Sequence, residues 1–259
     1  MLEYVTVDTK DHIAVVTIHN PPLNVLSSAV FTELDETFQR LENDADTLAI
    51  LITGKGEKAF VAGADIKEFP NLANSPNMKD AVMRTHRVMN RLESIPKPTI
   101  AVLNGLTLGG GCELALACDL RIAEQHAQVG LPEVKLGLFP GGGGTQRLPR
   151  LVGTAKAKEL MYTGESIRAE EAKGVGLVNH VVPSGEGLKE ASKLANKMTA
   201  HSLAAISRIK RAVDEGTERS LEDGIDHEAH LFVDVFQTED MREGVQAFIE
   251  KRKPNYVHR

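Results

Sequence analysis

The first third of the chain alternates between strand-like and helix-like patterns. Residues 12–22 read HIAVVTIHNPP, a β-branched run closed by two prolines, which predicts a strand and then a turn. Phe31, Leu34, Phe38 and Leu41 then recur at helical spacing and predict an amphipathic helix over about residues 27–43. LAILIT (48–53) is an unbroken apolar run of strand length stopped by Gly54. Such a run suits a strand covered on both faces. In KAFVAGADIKEF, which follows, Asp65 precedes Glu68 by the spacing of a capping box at a helix start. Another helix is expected over about residues 77–94.

The order then repeats. PTIAVLNG (98–105) predicts a second buried strand, LTLGGG a loop of small residues, and CELALACD a short helix. Stacked side by side, the two units would bring the loop at Val61–Ala64 next to the loop at Gly109–Gly111. Each loop would then offer free backbone N–H groups at a helix start. Pro132 suits the first turn of a short helix and would put Glu133 in that turn. Four glycines, 141–144, precede a further helix, and from about residue 154 onward the pattern reads helical. There Leu221, Ile225, Ala229, Phe232 and Phe236 share one helix face, and Met241, Val245, Phe248 and Ile249 share another. No linker or low-complexity break separates the strand-rich first part from the helix-rich second.

The totals exclude several classes. A chain of 259 residues allows one large domain with a substantial core. A net charge of −6, no Trp and three Tyr give neither the basic face nor the stacking aromatics expected of a nucleic-acid binder. The start MLEYVTVDTKDH shows no secretory signal, and no apolar run reaches membrane-spanning length, so a cytoplasmic protein with no membrane partner is expected. Cys112 and Cys118 fit neither a disulfide framework nor a zinc site and read as small core residues in a reducing compartment.

The candidate chemistry sits where glycines meet carboxylates. Neither glycine run is a nucleotide signature: Gln146 stands where a GxGxxG frame needs glycine, and no GK[ST] follows. Glu113 and Glu133 beside small-residue loops fit general acid–base chemistry, and paired backbone donors fit an oxyanion hole. A thioester whose carbonyl becomes an enolate would use both. The residues alone leave a second reading open, in which both glutamates merely favour a helix N-terminus. In DHEAH (226–230) the spacing is not that of a zinc helix and a third ligand is missing, so a solvated helix face is expected. There is no GxSxG elbow, and Cys112 neighbours a glutamate rather than a histidine.

Five blocks, in order, resemble the enoyl-CoA hydratase (crotonase) family: KAFVAGADIKEF, NGLTLGGGCELALACDLRIA, VGLPEVKLGLFPGGGGTQRLPRLVG, AKGVGLVNHVV and TEDMREGVQAFIEKRKPNY. The resemblance covers almost the whole chain. It implies an α/β fold, a spiral of strand–strand–helix units over residues 1–195, with a helical C-terminal trimerisation region over 196–259 belonging to the same overall domain. It implies a homotrimer or homohexamer. It places the oxyanion-hole N–H groups on Ala64 and Gly110, the catalytic glutamates on Glu113 and Glu133, and a water-holding glycine on Gly141. Coenzyme A contacts fall on Ala62, Asp65, Ile66, Lys67 and Lys251, the last reaching a neighbouring subunit, and the acyl pocket includes Phe232. One position departs: the first turn reads PPLN, without the basic residue that some hydratases carry there for a phosphate contact.

The function implied is hydration of a trans-2-enoyl-CoA in fatty acid or amino acid breakdown, with no metal and no cofactor apart from the coenzyme A carried by the acyl-CoA substrate. The resemblance leaves room for an enoyl-CoA isomerase or a specialised methylglutaconyl-CoA hydratase. A non-catalytic acyl-CoA-binding protein would be expected to have lost a glutamate or the small residues of AGAD and GGG.

Overall fold

A computed structural model describes residues 2–73 and 75–258. The chain divides into two compact units, residues 1–95 with 99–192, and residues 96–98 with 193–259.

The first unit opens with a hairpin of β1 (Val5–Lys10) and β2 (Ile13–Ile18), followed by α1 (Ser28–Asn43), β3 (Ala49–Gly54) and β4 (Ala59–Val61). Next come α2 (Phe69–Ala73), α3 (Met78–Ser94), β5 (Thr99–Leu103), β6 (Leu106–Leu108), α4 (Gly110–Leu116), β7 (Leu120–Glu124) and β8 (Gln128–Gly130). The unit continues with α5 (Gly144–Val152), α6 (Thr154–Thr163), β9 (Ser166–Arg168), α7 (Ala169–Gly174) and β10 (His180–Val182), and α8 (Gly187–Thr199) leads out of it.

The strands form two sheets, one of six in the order β1-β2-β3-β5-β7-β10 and one of four in the order β4-β6-β8-β9. Strands β2, β3, β5, β7 and β10 run parallel, as do β4, β6 and β8. Each turn of the spiral therefore lays one strand in the large sheet and the next in the small one: β3 then β4, β5 then β6, β7 then β8. All six residues of β3 and all five of β5 are buried, which is why both read as unbroken apolar runs.

Two sequence expectations need correction here. LTL of LTLGGG is strand β6, not loop; a strand of three residues shows too little alternation to be legible. The region after residue 154 is not wholly helical. It contains β9, which closes the small sheet by pairing antiparallel to β8, and β10, which extends the large sheet from β7. Both are three residues long and owe their conformation to the neighbour they pair with.

α1 and α3 match their expected positions. Ser27 caps α1 by accepting from Val30 N–H, and Leu34, Phe38 and Leu41 are buried along it. Arg91 of α3 ties the two helices together through Asp35 at 2.8 Å and Glu42 at 3.2 Å. The capping box is only half formed. Asp65 accepts from Lys67 N–H, whereas Glu68 turns away and accepts from Ser28 N–H and Oγ at the start of α1.

The second unit is helical, with α9 (Leu203–Gly216), α10 (Leu221–Val235) and α11 (Glu239–Glu250). Ser202, Ser220 and Thr238 cap their N-termini. Buried Asp240 accepts from Val257 and His258 N–H and holds the tail against α11. On α10 Leu231 is buried, while Leu221, Ile225, Phe232 and, just past its end, Phe236 are exposed. Val245, Phe248 and Ile249 of α11 are exposed as well.

Candidate active site

The two glycine-flanked loops do meet. A Cβ placed on Gly110 would stand 3.6 Å from Ala64 N. Leu26 donates to Gly63 O and accepts from Asp65 N–H, and in a parallel bridge this directs the N–H of Ala64 away from Leu26. Gly110 is the first residue of α4, where a backbone N–H has no partner within the helix. The two amides thus come together at one spot, one from the segment after β4 and one from the start of α4.

The neighbouring glycines have different reasons to be small. A Cβ on Gly111 would fall 2.1 Å from Val61 O, so α4 could not approach β4 with any other residue there. At Gly110, by contrast, the nearest atoms are in ordinary contact range. Packing does not demand glycine at 110.

Glu113 lies in the first turn of α4 and is 4% exposed. Its Oε1 accepts from Gly142 N–H at 2.7 Å and from Gly144 N–H at 2.9 Å, at the start of α5. A Cβ on Gly142 would lie 2.4 Å from Glu113 Oε2, so the glycine run is what lets the loop close on this carboxylate. Burial raises the Glu113 pKa, opposed by those two amides and by the charges of His86 and Arg147.

Glu133 begins the short 3₁₀ turn Glu133–Leu136 after Pro132. Its Oε1 lies 3.1 Å from where a Cβ on Gly109 would be, which sets it over the same loop that leads into α4. Its Oε2 is buried with no hydrogen-bond partner among the described residues. Burial first, and the charge of Glu113 as well, push its pKa up to about 7. The pair therefore has unequal halves. Glu113 is anchored by two donors to one oxygen, while Glu133 is poised to carry a proton near neutral pH.

The remaining expected residues are distributed as follows. Ala62 donates its N–H to Leu23 O; Asp65 caps the turn Ile66–Glu68; Ile66 and Lys67 are exposed on that turn. Gly141 is exposed, a Cβ on it meeting only Phe139 O at 3.9 Å, and it is Gly142 and Gly144 whose amides hold Glu113. Phe232 and Lys251 belong to the second unit, the former exposed on α10 and packed edge-on against Phe236, the latter closing α11 with φ +54°. The hold of the Gly142 and Gly144 amides on Glu113 is not legible in the sequence. The signal available for them was the run GGGGTQR itself, long enough to wrap a carboxylate.

The full chain is of a recognisable kind: parallel strand–strand–helix turns bringing two backbone amides, the buried carboxylate of Glu113 and the half-buried one of Glu133 to neighbouring loops. The model of the enoyl-CoA hydratase/isomerase family matches residues 8–259, and the chain belongs to that family. It is 44% identical over 253 residues to the short-chain-enoyl-CoA hydratase of Clostridium acetobutylicum, covering 97% of each chain. It is 41% identical to the crotonyl-CoA hydratase of Syntrophomonas wolfei over 98% of each. Among solved structures, the enoyl-CoA hydratase of Bacillus anthracis superposes with a TM-score of 0.95 at 41% identity, over 99% of this chain and 100% of that one. The crotonase-type spiral with its helical C-terminal region is thus the fold of this chain.

Proposed function

We propose that this protein is an enoyl-CoA hydratase, adding water across the C2=C3 bond of a trans-2-enoyl-CoA. The observation that carries the reading is the unequal carboxylate pair beside two convergent amides. The thioester oxygen accepts from Ala64 and Gly110 N–H, where charge develops as the enolate forms. Glu113, ionised and held by Gly142 and Gly144, takes a proton from a water whose oxygen bonds to C3. Glu133, protonated, delivers its proton to C2, and the enolate electrons form the new C–H bond. Both protons are handled by carboxylates, so no metal and no cofactor beyond substrate coenzyme A are invoked. Because the two groups share one water, they titrate as a pair, and the base and acid labels describe one microstate.

Ala62, Asp65, Ile66 and Lys67 serve the coenzyme A moiety, Lys251 is assigned the phosphates of coenzyme A bound by a neighbouring subunit, and Phe232 an acyl contact. The names of the relatives, short-chain and crotonyl, favour a short acyl group. Among the described residues no helix is long and apolar enough to cross a membrane, and the reading places the enzyme in the cytoplasm.

Purified protein should hydrate crotonyl-CoA, unaffected by chelator, with a bell-shaped pH dependence of kcat/KM. The sign follows from the two groups. As pH rises through about 7, Glu133 loses the proton it must donate, and the rate falls. As pH falls, Glu113 becomes protonated and cannot take one, and the rate falls again. Turnover of 3-enoyl-CoA alone, or thioester cleavage, would replace this reading with isomerase or hydrolase activity.

The exposed apolar faces of α10 and α11 support assembly. Phe248 is 85% and Leu221 81% exposed, more apolar surface than an isolated chain leaves uncovered without reason. We assign the protein a trimer or a hexamer built on it, and light scattering at assay concentration should give three or six times the 28.1 kDa chain mass. An active monomer would overturn the assignment.

A further inference from the structure

Arg147 of α5 takes no part in the chemistry above, yet its side chain is only 12% exposed. Its guanidinium makes a two-pronged contact with Glu93 of α3, Nε to Oε1 at 3.0 Å and Nη2 to Oε2 at 2.6 Å. Nη2 also donates to Asn90 Oδ1 at 2.8 Å. Such a fork fixes the plane and direction of the group, which a lysine could not do. Nη1 is thereby aimed at the opposite side, toward Gly142 O at 3.4 Å. Gly142 is the residue whose N–H holds Glu113. The next residue, Gly143, has φ +111°, and a Cβ on it would lie 2.2 Å from Nη1. The turn is shaped around the guanidinium on one side and around the Glu113 carboxylate on the other.

Resting on the hydratase reading above, we infer that Arg147 is a positioning residue: anchored on Glu93 and Asn90, it holds the 141–144 turn so that the Gly142 and Gly144 amides fix Glu113. It touches neither substrate nor water in this role. Its charge acts in the same direction, favouring ionised Glu113 against burial. The other groups facing Glu113 are His86 from α3, which also favours the ionised form, and Glu133, the like charge beyond β8. Cys112, adjacent on α4, has its thiol pushed up by burial and by both glutamates, and so stays neutral. Arg121 of β7 faces that thiol and is occupied by the carbonyls of Ala115, Cys118 and Leu177.

The test uses the full-length protein with Arg147→Gln, Arg147→Lys and Glu93→Gln, assayed on crotonyl-CoA for kcat, KM and pH profile, with thermal melts alongside. Arg147→Gln should lower kcat roughly tenfold to a hundredfold, the scale of a misplaced catalytic group, while KM stays within about threefold. Its acid limb should move to higher pH, because loss of a nearby cation raises the pKa of Glu113. Arg147→Lys and Glu93→Gln, which keep the cation but spoil the fork, should lower kcat and leave that limb in place. In a Glu113→Gln background, Arg147→Gln should change the residual rate by less than about twofold, since groups acting as a unit are not additive. A lower melting temperature with wild-type kcat and an unmoved limb would reduce Arg147 to a tie between helices and overturn the inference. So would an equal loss in the Glu113→Gln background. If Arg147→Gln does not fold, wild-type kcat in both Arg147→Lys and Glu93→Gln overturns it. Failure of the wild-type protein to hydrate crotonyl-CoA strikes the hydratase reading instead, because the inference is read only from ratios to wild type.

Discussion

Glu113→Gln and Glu133→Gln are each expected to lower kcat by roughly 10²–10⁴-fold, the usual worth of a positioned acid or base. The two losses should differ in kind. Glutamine at 113 can still accept from Gly142 and Gly144 N–H through its amide oxygen, so the loop around it should persist and the loss should be chemical. Glutamine at 133 removes a proton carrier whose pKa stands at about 7, and the high-pH limb of the rate profile should disappear with it. The double variant should be far less than multiplicatively worse, because both groups act on one water. Steady-state rates on crotonyl-CoA across pH, with circular dichroism to verify folding, provide the measurement. Near wild-type turnover in either single variant would leave that residue a helix-start glutamate with no part in the reaction.

Gly110→Ala should be nearly as damaging, for a reason unrelated to packing. The added methyl finds only ordinary contacts, Leu26 Cδ1 at 3.5 Å and Ala64 N at 3.6 Å, so the fold should accept it. It would nevertheless stand between the two amides where the thioester oxygen has to sit. Losing one such donor costs roughly 2.7–4 kcal/mol of transition-state stabilisation, or about 10²–10³ in kcat. Because the donors matter most as the enolate forms, the loss should appear mainly in kcat, with acyl-CoA affinity measured separately by calorimetry. Gly111→Ala is the contrasting control. Its methyl would collide with Val61 O, so that variant should lose stability as well as rate. A folded Gly110→Ala enzyme with a normal rate would move the oxyanion site elsewhere.

What the sequence determined by itself was set by patterns long enough to read locally. Unbroken apolar runs made β3 and β5 buried strands, helical spacing made α1 and α3, and the repeated order of strand, small-residue loop and helix start predicted that the loop at Val61–Ala64 would meet the loop at Gly109–Gly111. Glu113 follows that glycine loop directly, Pro132 put Glu133 in a helix first turn, and the five blocks carried the family and the pairing of the two glutamates. Tertiary structure decided what depends on neighbours distant in sequence. Strands β6, β9 and β10 are three residues each and take their form from the edge they join. Glu68 accepts from Ser28 of α1, 40 residues away, instead of completing its capping box. Burial raises the pKa of both glutamates, and only Glu113 is held by amides, which reach it across 29 and 31 residues of chain. Arg147 and Glu93 are separated by 54 residues, and no local pattern joins them. Periodicity and caps act within a few residues, whereas desolvation, hydrogen bonding to a carboxylate and the direction of a guanidinium fork are set by whatever the folded chain brings within a few ångströms.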